Sequence, residues 1–88
     1  MFALFYDYVD DIAERRVAHR PLHLELLREF HAAGTLRIAG AFADPLDSAL
    51  IVFTTREAAA AFAARDPYVA NGLVPRHRIR EWNVVIGE

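Results

Sequence analysis

Apolar and polar positions change period several times along the chain, and each change marks an element. Phe2 to Val9 is rich in aromatic and β-branched residues and reads as a strand. Phe2, Leu4, Tyr6 and Tyr8 share one side of it, while Ala3, Phe5, Asp7 and Val9 share the other. Both sides are largely apolar, so both require cover. Asp10 or Asp11 closes the strand and can cap a short turn through Glu14 to Val17. From Arg20 to Ala33 the period becomes helical. Leu26, Leu27, Phe30 and Ala33 make an apolar stripe, Pro21 stands in the first turn, and Gly34 follows the end. His23 precedes Leu26 by three residues and Leu27 by four, so the stripe begins with a titratable imidazole.

Thr35 to Phe42 predicts a second strand, with Leu36, Ile38, Gly40 and Phe42 on one face. Gly40 leaves that face locally bare, which suits close approach of a ligand or another backbone. A turn with proline and aspartates, Ala43 to Asp47, leads to a third strand, Ser48 to Phe53, apolar without interruption from Ala49. Thr54-Thr55-Arg56-Glu57 matches a capping box, and the alanine-rich helix runs from Glu57 to Arg65. Asp66-Pro67 starts a second, short helix over Tyr68 to Ala70, which stops at Asn71-Gly72. Leu73 to Ile86 closes the chain as a long strand, bent or bulged near Pro75, which cannot donate to a ladder.

Strand, helix, strand, strand, helix, strand predicts a ferredoxin-like βαββαβ domain of the α+β class over residues 1–88. Both helices then lie on one face of an antiparallel four-stranded sheet. They cannot cover the other face, and a second copy packed sheet to sheet is the simplest cover. A homodimer is therefore expected.

Composition narrows the chemistry. With 88 residues there is one core, and 55% apolar content excludes a disordered segment. No cysteine is present, which removes disulfides and thiolate metal sites and fits a reducing compartment. Asp7, Asp10 and Asp11 interrupt the apolar start, so no signal peptide is expected, and no stretch reaches the length of a membrane span. A cytoplasmic protein is expected. The net charge of −2 gives no support to a nucleic-acid partner. Every cation besides histidine is arginine, so a lysine nucleophile or Schiff base is excluded.

A histidine side chain can accept and return a proton at cellular pH, so His23 suits proton transfer, although a packing histidine at a helix start has the same appearance. Asp66 before Pro67 is what helix capping alone requires. Arg20, one turn before His23, can hold an anionic group or form a surface ion pair. Tyr68 and Ser48 are candidate pocket donors or turn and packing residues, and Tyr6 and Tyr8 can add hydroxyls. His19 and His23 stand four apart, a spacing that suits a metal on one helix, but Pro21 separates them and no carboxylate completes a set; no metal is expected. Arg76, Arg78 and Arg80 alternate on the last strand and share a solvated face.

Five stretches fall in register: Glu14-Arg15-Arg16, Arg20-Pro21-Leu22-His23-Leu24, Gly34 to Gly40, Asp66 to Leu73, and the closing segment around Trp82-Asn83-Val84-Val85. Together they resemble the YCII-related family, small proteins similar to YciI, over nearly the whole chain. The resemblance implies a ferredoxin-like fold that pairs into a dimeric α+β barrel, and an enzyme without a cofactor. Its site joins the histidine of an Arg-x-x-His motif to the aspartate of an Asp-Pro-Tyr motif, here His23 and Asp66. One related member is a dehydrochlorinase of a chlorinated, hydroxylated aromatic, and the wider superfamily includes isomerases and monooxygenases. The chain departs from the family pattern in a short second turn and in Asp47, which stands where a glycine often precedes the serine equivalent to Ser48; this would shorten one wall of the pocket. The function expected is acid–base elimination or isomerisation of a small anionic or phenolic molecule. His23 and Asp66 would be catalytic, with Arg20, Ser48 and Tyr68 around the substrate. The competing class is a non-catalytic dimeric module that binds a small molecule or a protein.

Overall fold

Alternating residues of the two central strands build the layer on which the helices rest. A computed structural model describes residues 1–88. It contains strands β1 (Phe2–Asp7), β2 (Leu36–Ala41), β3 (Ser48–Phe53) and β4 (Arg76–Glu81), and helices α1 (Ile12–Arg15), α2 (Arg20–Ala32), α3 (Arg56–Arg65) and α4 (Pro67–Ala70). The sheet order is β2-β3-β1-β4 and every neighbouring pair is antiparallel, which is the ferredoxin-like arrangement.

Leu4 and Tyr6 of β1, with Ala49, Ile51 and Phe53 of β3, face the helices and join Leu26, Phe30, Ala59 and Phe62 in one core. Phe30, Phe53 and Phe62 meet with ring centroids 5.4–6.1 Å apart, within the range of favourable aromatic pairs. Arg65 grips Glu29 through two bonds of 2.6 and 3.0 Å and ties α3 to α2. Thr55 caps α3 by accepting from the amide of Ala58 at 3.1 Å, and Gly34 ends α2 with φ +85°. No helix is long and apolar enough to cross a membrane.

Four expectations are corrected. Asp11 stands at the N-cap of α1 just before the buried Ile12, but its side chain makes no capping bond. Thr55 rather than Thr54 caps α3, so the expected box with Glu57 does not form, and the Thr54 amide donates to the Thr35 carbonyl instead. On β2 a register shift between Leu36 and Ile38 splits the predicted face: Leu36 turns to the core, while Ile38, Gly40 and Phe42 take the parity of the opposite surface. The last strand is shorter than predicted. Leu73 and Val74 are drawn into the core before it starts, and the regular ladder ends at Glu81 opposite Phe2. One further pair of backbone bonds joins Trp82 to Met1, and the segment beyond it carries Val85 and Ile86 exposed.

The face away from the helices is mixed. Arg76, Arg78 and Arg80 pair in register with Asp7, Phe5 and Ala3, and the Arg78 guanidinium lies 4.5 Å from the Phe5 ring centre. Beside them Ile38 is 68%, Phe42 53% and Trp82 46% exposed, an apolar surface without cover in the single chain.

Candidate active site

The α3–α4 junction supplies the carboxylate around which the polar core is arranged. Asp66 ends α3 in an extended conformation (ψ 122°) and caps α4, accepting from the Tyr68 amide at 3.0 Å through Oδ1. The same oxygen lies 2.8 Å from His23 Nδ1, and Oδ2 accepts from the Tyr6 hydroxyl at 2.7 Å. Asp66 is fully buried and His23 is 7% exposed, so the capping bond and two side-chain bonds converge on one carboxylate away from water. The sequence separations are 43 and 60 residues.

A carboxylate only accepts, so a hydrogen bond from Nδ1 to Asp66 places the imidazole proton on Nδ1 and leaves the Nε2 lone pair free in the neutral ring. The Tyr68 ring fixes the imidazole plane by stacking on it at 3.7 Å and 5°. Asp-Pro-Tyr therefore combines three local tasks: the aspartate caps the helix and holds the imidazole, the proline starts the helix, and the tyrosine covers the ring.

His23 opens onto a cavity of about 210 Å³. Tyr8, Arg16, Arg20 and Tyr68 supply its other polar groups, Leu24, Leu27 and Ile51 much of its apolar wall, and the strand Ala39–Ala41 one side. No aspartate or glutamate lines it. Of the residues singled out in the sequence, His23, Arg20 and Tyr68 come together here, with Asp66 directly behind. Ser48 does not. It has the outward parity of β3, its hydroxyl donates to Asp47 at 2.9 Å, and the β2–β3 turn is not among the cavity walls. His19 stands at the N-cap of α2 outside the cavity, and no three histidine, aspartate or glutamate side chains cluster as a metal site would need.

The sequence offers Tyr6 as a packing residue or a hydroxyl with no named partner, and it leaves Arg16 without a role. Tyr6 faces inward by strand alternation, but only the tertiary structure carries its hydroxyl to Asp66. Arg16 is one helical turn before Arg20, and the Arg20 amide donates to the Arg16 carbonyl at 2.7 Å. That continuity across the break before Pro21 is the signal that groups the two arginines.

The chain's three tyrosines all belong to this site, so phenolate absorbance reports on it alone. Burial pushes the Tyr8 phenol from 10.0 up to about 12, helped by the nearby Tyr68 and Asp66 and opposed by Arg16 and Arg20. Burial, with the charge and hydrogen bond of Asp66, raises Tyr6 further, and burial also raises Tyr68 against the pull of Arg16 and Arg20. A tyrosine whose folded pKa is raised keeps its proton longer in the native state, so its contribution to stability is full below pH 10.0 and declines above it. Alkaline titration should show every tyrosine step displaced above pH 10.0, with that of Tyr8 near 12 or accompanying unfolding, and stability falling as the phenols ionise. A full-sized step at pH 10.0 in the folded protein would contradict this environment.

Among solved structures, the fold is similar to that of 5-chloro-2-hydroxyhydroquinone dehydrochlorinase (TftG) from Burkholderia phenoliruptrix AC1100, determined in complex with 2,5-dihydroxybenzoquinone. The TM-score is 0.74 at 16% sequence identity, and the alignment covers 94% of each chain. No curated protein matches the sequence. The model of the YCII-related domain matches residues 1–83, and the chain belongs to that family.

Proposed function

We propose that the protein is a cofactor-independent acid–base enzyme of the elimination or isomerisation type, acting on a small anionic or phenolic molecule through His23 and Asp66. The carrying observation is the 2.8 Å contact between a buried carboxylate and an imidazole that also lines a cavity. Nε2 would take a proton from an O–H or activated C–H of the bound molecule, and the electron pair left behind would expel a leaving group or shift a double bond. The imidazolium formed would be stabilised by the Asp66 carboxylate, which also accepts from the Tyr6 hydroxyl and the Tyr68 amide and is held in place by them. One such base contributes about 10²–10⁴ in rate, so the substrate must itself be activated, as a hydroxylated ring or a keto acid is. The ligand in the similarly folded dehydrochlorinase belongs to the first of these classes.

Incubation in heavy water with hydroxylated quinols, including 5-chloro-2-hydroxyhydroquinone, and with small keto acids tests the reading. Enzyme-dependent deuterium exchange or release of chloride is expected. Binding without exchange, elimination or isomerisation anywhere in the panel would leave a binding module instead.

The working unit in this reading is a homodimer. Ile38, Phe42 and Trp82 lie uncovered on the sheet face away from the helices, and the matching face of a second copy would cover them. Sedimentation should give twice the chain mass at micromolar concentration, and Ile38→Glu should shift it toward one. A wild-type monomer under those conditions would remove the dimer.

A further inference from the structure

Two cations border the cavity with no carboxylate to neutralise them. Arg16 and Arg20 form no ion pair within the chain, and among the arginines that share this (Arg28, Arg56, Arg78 and Arg80 are the others) they alone line the cavity. Arg16 is half-buried, and both guanidiniums are close enough to Tyr8 and Tyr68 to draw the phenols' pKa values downward. Guanidinium groups bind oxyanions through parallel donors, and the phenols of Tyr8 and Tyr68 line the same cavity as uncharged groups at neutral pH. The rest of the wall is mainly apolar, and about 210 Å³ lies below the roughly 300–1,000 Å³ of pockets for drug-sized ligands. A single ring with its substituents fits that description, and a nucleotide or peptide does not.

Building on the acid–base reading above, we propose that the cavity selects planar rings carrying two anionic oxygen groups, clamped between Arg16 and Arg20, with His23 Nε2 left for the reacting proton. Arg16 is the residue that separates dianions from monoanions. Doubly ionised hydroxyquinones, which are vinylogous acids, and ring dicarboxylates have this chemistry. Arg20 alone would serve a single phenolate or carboxylate.

Calorimetric titration of the whole protein tests the clamp with 2,5-dihydroxybenzoquinone as the dianion, 2-hydroxy-1,4-benzoquinone as the monoanion and hydroquinone as the neutral ring. Wild type should bind the dianion most tightly. Arg16→Gln should weaken dianion binding by about 10–100-fold, the size of a lost charge-assisted bond, while changing the monoanion much less and hydroquinone not at all. Arg16→Lys, which keeps the charge but loses the planar fork, should recover part of the loss. Equal weakening of all three probes, or none for the dianion, overturns the clamp, as does a wild type that prefers hydroquinone. These are binding measurements, so they can fail while exchange by wild type persists, and the acid–base reading would then stand without the clamp.

Discussion

His23→Gln should lower the rate of proton exchange or elimination by about 10²–10⁴ while the protein stays folded. Glutamine approximates the reach of the imidazole and can still donate to Asp66, but it has no basic nitrogen to turn toward the cavity. Its fold should survive, because the contacts among Phe30, Phe53 and Phe62 remain and the bond to Asp66 is kept, with the edge contact of the imidazole on Phe62 and its stacking on Tyr68 lost. The loss should lie in turnover with binding of 2,5-dihydroxybenzoquinone retained, since the proposed clamp is elsewhere. Full turnover by this variant would remove His23 from the chemistry.

Asp66 separates into two roles when its two conservative replacements are compared. Asp66→Asn keeps the acceptor for the Tyr68 amide, and the Tyr6 hydroxyl can rotate from donor to acceptor against the new amide group. Stability should fall by less than about 2 kcal/mol, the range for an altered buried hydrogen bond. Turnover should fall by about 10²–10⁴, because the negative charge opposite the imidazolium is gone. Asp66→Ala instead strands the Tyr6 hydroxyl and the Tyr68 amide in the interior and removes the cap of α4. Removing one partner of a buried pair costs about 3–5 kcal/mol, a large share of the roughly 5–15 kcal/mol that holds a small domain folded. Thermal melting should show Asn near wild type and Ala strongly destabilised or unfolded. If Asn retained full turnover, the carboxylate would be a helix cap and nothing more.

Much of the fold follows from local rules. The alternation of β1, the Pro21–Gly34 bracket around α2 and the Asp66-Pro67 start of α4 each state an element in a few residues. Facing and depth are harder. A single shift near Arg37 reverses which side of β2 Ile38 and Phe42 occupy, and nothing in Leu36-Arg37-Ile38 announces it. In β3 the unbroken apolar run from Ala49 to Phe53 hides which parity is inward; once Ile51 and Phe53 are known to face the helices, Ser48 must face away. The site shows the same division. Asp66 is legible as a cap, but its contact with His23 spans 43 residues and the Tyr6 contact spans 60, so neither follows from local spacing. Family resemblance supplied the first pairing, whereas the Tyr6 contact emerged only with the tertiary structure. Arg16 was obscured because Pro21 suggests a break where the backbone continues the helical bond from Arg20 to Arg16.

The most direct test is nitrogen NMR of the His23 imidazole in the whole protein, before and after addition of 2,5-dihydroxybenzoquinone. The expected result is a strongly deshielded Nδ1 proton held by Asp66, a neutral-ring Nε2 without a proton, and a shift of the Nε2 resonance when the quinone enters the cavity. An imidazole protonated only on Nε2, or one whose Nε2 signal is indifferent to bound quinone, would contradict an aspartate-held base facing its substrate.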